Sequence, residues 1–264
     1  MMRNESKTLF IPLYGKALMS REGFLQDPAA ERIVDACGFD FSRVDQSRKL
    51  AIYMAMRAER FDAYAADFVR EYPNGLILQL GVGLDSRVQR VKCENSWWEL
   101  DFPEVIALRR RYFPENERCR YVAAPATPTE WLRQLPRAEH ALVLAEGLSM
   151  YLTEQDIQQL MLDLQRHFGR TLFIFDAYSK LAARLSPLKN PVNAVKACIN
   201  FAMDDPQLLI TGMEGVKCVI NDDIITQEAV ARLKGADHLR FRFMGKAGKK
   251  LYRIYGYTLE AKKK

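Results

Sequence analysis

The stretch Leu76-Ile77-Leu78-Gln79-Leu80-Gly81-Val82-Gly83-Leu84-Asp85-Ser86-Arg87 constrains the chain most: an apolar run breaks into two spaced glycines and then an acid. A strand buried in a parallel sheet reads as a continuous Leu/Ile/Val run. Glycines just past its end let the backbone turn sharply and approach a ligand closely. The stretch therefore reads as strand, turn and helix start. Two glycines alone fit a tight structural turn as well as a nucleotide site, so the flanking sequence has to decide between them.

Downstream, Ser96-Trp97-Trp98-Glu99-Leu100-Asp101-Phe102 is a second strand, and Pro103 opens a helix carrying Val105, Ile106 and Leu108. Residues 120–124 and 141–147 read as strands three and four, with a short helix over 129–135 between them. Thr153 and Asp156 start a helix in the manner of a capping box; its stripe of Ile157, Leu160, Met161, Leu164 and Phe168 ends at Gly169, and 171–177 is strand five. This alternation predicts an α/β fold, a parallel sheet with helices on both faces and a ligand site at the carboxyl ends of the strands. Near the end, Leu239-Arg240-Phe241-Arg242-Phe243 and Leu251-Tyr252-Arg253-Ile254-Tyr255-Gly256-Tyr257 flank a Gly/Lys-rich loop as two hairpin strands would. Residues 186–220, with Pro187, Pro191 and Pro206, lack a clear period and read as a lid over the site or an irregular helical insert.

Upstream, Asp27-Pro28 resembles a helix N-cap followed by a first-turn proline, with Gly38 as the stop and an arm holding Phe10, Leu13, Tyr14, Lys16 and Leu18 before it. Over 46–69, Leu50, Met54, Phe61, Ala65 and Phe68 form one apolar helical stripe that Arg57 interrupts. An unpaired guanidinium on that face is costly, so Arg57 either snorkels to the rim or meets an anion. No repeat or low-complexity linker divides the 264 residues, and one domain is expected over 1–264: a helical N-terminal cap (1–70), a core (76–185), the insert (186–220), and a C-terminal helix and hairpin (221–264).

Hydrophobic residues at 48% and charged residues at 27% indicate a soluble globular protein rather than disorder. Five widely spaced cysteines without a Cys-x-x-Cys pair disfavour a disulfide framework or a zinc site, and three histidines without metal spacing give no reason to expect a catalytic metal. No segment approaches the ~20 apolar residues of a membrane span, and the first 20 residues hold no signal-like apolar run, so a cytoplasmic location is expected. A net charge of +6, from 39 basic and 33 acidic residues, is too modest an excess to imply nucleic acid. Nothing in the sequence sets the oligomeric state.

In the expected sheet, Gly81, Gly83, Asp85, Asp101 and Glu146, with Gly147 beside it, gather at one edge. Asp101 falls 20 residues after Gly81, near the spacing of an acid that hydrogen-bonds ribose hydroxyls at the end of the second strand. A dinucleotide would set its pyrophosphate beside these glycines, where Asp85 would repel it and Ser86 replaces the third glycine. S-adenosylmethionine has no phosphate and avoids that clash. Its methionine end needs a cation for the carboxylate and an anion or carbonyl for the ammonium. Arg57 and Lys16 are candidates for the first, with charge-assisted hydrogen bonds of about 1.5–3 kcal/mol; the other reading of Lys16 is a solvated loop lysine.

Three segments in this order, Leu80-Gly81-Val82-Gly83-Leu84-Asp85-Ser86-Arg87, Glu99-Leu100-Asp101-Phe102-Pro103 and Ala145-Glu146-Gly147-Leu148-Ser149-Met150-Tyr151-Leu152, closely resemble the leucine carboxyl methyltransferase family. That family includes bacterial polyketide carboxyl O-methyltransferases and has the class I, S-adenosylmethionine-dependent fold, Rossmann-like with a seven-stranded, mostly parallel sheet. The resemblance spans the chain from Asp27-Pro28-Ala29-Ala30 to the fifth strand. It implies that Gly81 lines the cofactor, Asp101 binds its ribose, Glu146 closes the site near the methionine end, and Lys16 and Arg57 hold the carboxylate; Glu99, of the same strand parity as Asp101, is the second choice for the ribose. One departure is notable: relatives place an Asp-Leu pair after the third strand, its acid meeting the adenine amino group, where this chain has Ala124-Pro125-Ala126. Either backbone carbonyls hold the adenine instead, or cofactor affinity is reduced.

Methyl transfer from a sulfonium is an in-line displacement, so the protein mainly aligns the reactants and excludes water. A carboxylate acceptor, with a pKa of about 4, is already ionised and needs no base. A hydroxyl acceptor would need one, and Tyr14, Tyr151, Tyr178 or Glu146 are candidates, the tyrosines otherwise lining or packing the pocket. The expected partner is thus a small-molecule carboxylate or hydroxyl acceptor. The alternatives are an RNA or protein methyltransferase, for which the Asn/Asp-Pro-Pro-Tyr motif of amino-methylating nucleic-acid enzymes is missing, and a catalytically silent cofactor-binding protein.

Overall fold

The computed structural model describes residues 8–185, 199–247 and 251–261. Seven strands, β1 (Leu76–Leu80), β2 (Trp97–Asp101), β3 (Cys119–Ala123), β4 (His140–Ala145), β5 (Arg170–Tyr178), β6 (Val216–Asp223) and β7 (Tyr252–Glu260), form one sheet ordered β3-β2-β1-β4-β5-β7-β6. The first five run parallel, and β7 is antiparallel to both β5 and β6. All five residues of β1 are buried in the interior of this order, between β2 and β4, as its mainly apolar run requires.

The pleat sends alternate residues into two cores. Leu76, Leu78 and Leu80 pack with Val143, Phe173 and the stripe Ile157, Leu160, Met161 and Leu164 of α6 (Glu154–His167). Ile77, Leu142, Leu144 and Ile174 pack on the other face with Phe61, Ala65 and Phe68 of α3 (Arg48–Glu71). Each fully buried Leu, Ile or Phe contributes about 1.5–3 kcal/mol of transfer free energy. Helix starts carry their own side-chain caps: Asp27 accepts from Ala30 N before α2 (Pro28–Ala36), Ser47 from Leu50 N before α3, and Thr153 with Asp156 completes a capping box before α6. The N-terminal arm is a helix, α1 (Phe10–Arg21), lodged against α2 and α3. Gly15 lets α1 approach closely, since a Cβ there would lie 3.1 Å from both Ala51 Cα and Met54 Cβ.

The C-terminal third holds the expected antiparallel pair of strands, but its first strand is not the one expected. Residues 239–243 are not a strand but lie inside a helix (Gly235–Ala247), which buries Phe241 completely and leaves Leu239 55% and Phe243 71% exposed. The alternation of Leu, Phe and Phe imitates a strand, yet only Phe241 finds a core. Beside β5, β7 pairs with β6, an edge strand with exposed Lys217, Val219 and Asn221 and a register irregularity between Cys218 and Ile220. That strand begins inside the segment expected to be a lid or insert. Of this segment, 186–198 lie outside the described residues. From 199 onward it is anchored to the core: Phe201, Met203 and Leu209 are buried with the β5 and β7 side chains, a helical turn spans Pro206–Leu209, and β6 begins at Val216.

Candidate active site

A cavity of about 210 Å³ opens at the carboxyl ends of β1, β2 and β4. Lys16, Arg57, Gln79, Asp85, Asp101 and Glu146 contribute its polar wall; Leu13, Tyr53, Met54, Leu148, Tyr151 and Tyr178 are among its apolar and aromatic lining. Gly81 and Gly83 turn the chain over the end of β1 with φ of +63° and +54°, a region costly for residues with a Cβ. The helix that follows is a single turn, Arg87–Arg90.

At the end of β1 the charges are tightly paired. Lys16 Nζ, on α1, donates to Asp85 Oδ1 at 2.5 Å. Arg87 Nη1 lies 2.8 Å from Asp85 Oδ2, and Arg90 donates to Asp85 Oδ1 at 3.1 Å. Burial alone would raise the Asp85 carboxyl; Arg87, Lys16 and Arg90 outweigh it and hold the group well below the usual carboxylate range. Arg87 and Arg90 also grip Asp62 of α3, and Arg90 reaches Asp27 at 2.8 Å. Lys16 is 3% exposed, so it is neither a loop residue nor solvated.

At the end of β4, Glu146 accepts from Arg57 Nε at 2.8 Å and from Arg87 Nη2. Burial opposes its ionisation, and Arg57 and Arg87 still lower its pKa. Arg57 is 7% exposed and its Nη1 stands 3.4 Å from Asp176 Oδ2 on β5, so it meets anions rather than snorkelling. Gly147, with φ of +69°, lets the guanidinium lie close, since a Cβ there would be 3.3 Å from Arg57 Nη1; its N–H donates to Asp176 Oδ1 at 2.6 Å.

Asp101 has no cation of this kind. Its Oδ2 accepts from Gly83 N at 2.8 Å and its Oδ1 from Phe102 N at 2.7 Å. Burial outweighs these backbone donors and pushes its carboxyl up to about 6. Each oxygen keeps acceptor capacity for a ligand hydroxyl.

Several expected site residues fall elsewhere. Glu99 is fully buried with both oxygens on Arg109, at 2.6 and 2.7 Å, and does not line the cavity. Burial raises its pKa against the opposing Arg109. The pair instead supports the turn, because Arg109 Nη1 donates to the carbonyls of Gly83 and Asp85 and so pins the glycines in place. Tyr14 packs at 5.5 Å from the Phe41 ring, outside the cavity lining. Ala124 and Pro125 are also outside that lining, although Ala124 N donates to the Asp101 carbonyl at 3.0 Å. Gly147, Tyr151 and Tyr178 do line it. Residues not anticipated are Gln79, Arg87, Arg109, Asp176 and Tyr53. Gln79 and Asp176 each carried a signal, a lone polar residue inside an apolar strand run, of the kind that singled out Arg57 on its helix. Among the described residues, no cluster of His, Cys, Asp and Glu could hold a metal, and no helix is long and apolar enough to cross a membrane.

Comparison with known proteins identifies the family and the fold. Residues 11–165 match the family model described as leucine carboxyl methyltransferase. Tetracenomycin polyketide synthesis O-methyltransferase TcmP of Streptomyces glaucescens is 32% identical over 215 residues, covering 80% of each chain. The S-adenosyl-L-methionine-dependent methyltransferase dpfgK of Gibberella zeae is 28% identical over 236 residues, covering 80% of this chain and 79% of its own. Among solved structures, a DUF574 family protein from Streptomyces avermitilis superposes with a TM-score of 0.59 at 13% identity, over 94% of this chain and 97% of its own. The plantazolicin methyltransferase BamL, solved with a triazolic desmethylPZN analog and SAH, gives 0.54 at 7% identity, over 98% of this chain and 99% of its own. These structural likenesses concern the fold; the family rests on the sequence match. This chain belongs to the leucine carboxyl methyltransferase family.

Proposed function

We propose that the protein transfers the methyl group of S-adenosylmethionine to the carboxylate of a small molecule. The coarser part of this reading, an S-adenosylmethionine-dependent methyltransferase, follows from its family. The residues present suit that cofactor. Two cations and three carboxylates line the cavity, which favours a ligand bearing a sulfonium and an ammonium against one carboxylate. Asp101 would accept from the ribose hydroxyls, Lys16 and Arg57 would face the methionine carboxylate, and Glu146 would lie on the ammonium side. When bound, the cofactor supplies an electrophilic methyl carbon.

The observation that favours a carboxylate acceptor is the state of the titratable groups on the wall. Glu146 and Asp85 are tied to cations and held low, so neither is a free base at neutral pH. Asp101, near 6, stands at the β2 end, where its remaining acceptor capacity would go to the ribose hydroxyls of the cofactor rather than to the acceptor. Burial pushes the Tyr53 phenol up, which keeps it a neutral donor, and no lining residue is a histidine or cysteine. An acceptor that arrives ionised needs only alignment and exclusion of water, which the buried Arg57 and the half-buried Tyr53, Tyr151 and Tyr178 on the cavity lining would supply. The O-methyltransferase TcmP supports transfer to oxygen.

Methyl-labelled cofactor incubated with a panel of small carboxylic acids tests this. Label that becomes volatile on mild alkaline hydrolysis, as methanol from an ester, is expected. Label retained through alkali on a phenolic or alcoholic product would overturn the carboxylate reading.

A further inference from the structure

Gln79 is the single polar side chain of β1, is 2% exposed, and lines the cavity. Its Nε2 donates to Asp85 Oδ2 at 2.9 Å, whereas its Oε1 is buried without a hydrogen-bond partner. An amide oxygen and nitrogen can exchange by a flip, so their orientation needs a chemical reason. Asp85 supplies it. Surrounded by Lys16, Arg87 and Arg90, it is a carboxylate that only accepts, so the NH₂ group of Gln79 must face it. The oxygen is thereby left for another donor, and protein interiors rarely keep such an acceptor unmet.

No described side chain or backbone group provides that donor. Asp85 and Glu146 place negative charge on the same wall, which favours a cationic N–H over a neutral one. Lys16 and Arg57 line the same cavity, and a ligand carboxylate held by them carries its ammonium on the adjacent carbon. Resting on the cofactor assigned above, we propose that Gln79 Oε1 accepts a hydrogen bond from the ammonium of the methionine moiety, with Asp85 as the positioning residue that aims the amide. A lone amide among apolar strand residues thus selects for the amino group of the cofactor rather than stabilising the sheet.

The test is calorimetric binding of S-adenosylhomocysteine and of its deaminated analogue to the full chain. Wild-type protein is expected to prefer the amino-bearing ligand by about tenfold or more, as a hydrogen bond to a charged group implies. Gln79→Met, similar in volume but without an acceptor oxygen, is expected to lose that preference: S-adenosylhomocysteine weakens about tenfold and the deaminated ligand is nearly unchanged. Equal weakening of both ligands, or a preference retained in the variant, would overturn the inference and leave Gln79 a structural residue. Equal affinity of wild-type protein for the two ligands would overturn it as well, whether or not the variant folds. Wild-type protein that binds neither ligand would remove the cofactor assignment itself, and this inference with it.

Discussion

Asp85 and Asp101 stand at the ends of neighbouring strands and line the same cavity, yet their surroundings drive them in opposite directions. Asp85 meets cations from α1 and from the turn after β1, and they hold it ionised despite burial. Asp101 meets only two backbone N–H groups and rises to about 6. The difference separates two uses of a buried carboxylate. Asp85 ties elements together: through it and Asp62, Lys16, Arg87 and Arg90 join α1, α3 and β1. Asp101 keeps acceptor capacity that the fold does not consume, at some cost in stability, which is the signature of a ligand-facing group.

The largest effect that could break this contrast is on stability. Asp85→Ala leaves the buried Lys16 ammonium without its carboxylate and removes one partner each from Arg87 and Arg90, and about 3–5 kcal/mol of unfolding free energy is expected to disappear, as measured by urea denaturation. A loss below about 1 kcal/mol would mean that the cluster does not tie the elements together.

The complementary change, Asp101→Ala, is expected to act on the ligand first. Loss of two charge-assisted hydrogen bonds weakens S-adenosylhomocysteine by roughly a hundredfold or more in calorimetry, while the unfolding free energy changes far less than for Asp85→Ala. Reversal of that order, with Asp101→Ala costing more stability than affinity, would erase the distinction.

The smallest expected effect is with pH. Between the ordinary carboxylate value near 3.8 and about 6, folded Asp101 binds a proton that the unfolded chain has released, so its contribution to stability falls as pH rises through this window. Ligand affinity moves the other way, weakening by up to about tenfold per unit as pH drops below 6 and the acceptor is protonated. Asp85 has the opposite sign: its stabilisation is complete above the ordinary value and is lost only as pH falls through its depressed one. Affinity that stays level from pH 7 to about pH 5 would show that Asp101 does not titrate where its burial places it.

Much of the fold was legible because the chain's local signals agree with one another. The apolar run 76–80, the glycine turn, the Asp27 and Thr153 caps and the α6 stripe all point to the same α/β alternation, and the structure contains each of them. The C-terminal third was less legible. There, strand-like alternation at 239–243 competes with a helix that needs only Phe241 buried, whereas the true edge strand at 216–223 has only one fully buried residue to announce it. Edge strands owe their place to pairing with a neighbour, a non-local fact that no short window of sequence contains.

Within the cavity the same division holds. Residue type and spacing singled out Gly81, Asp101, Glu146 and the anomalous Arg57, because a charge on an apolar stripe and an acid at a strand end are costly enough to need a reason. Sequence by itself therefore determined the sheet's parallel core, its ligand-facing end and the polar groups that had to answer there. Only the tertiary structure decided who answers whom: that Glu99 serves Arg109 and the turn rather than the cavity, that Asp176 stands behind Arg57, and that Asp85 turns the Gln79 amide. Those partners lie up to 119 residues apart in sequence, and burial makes each carboxylate's state depend on the few charges packed against it.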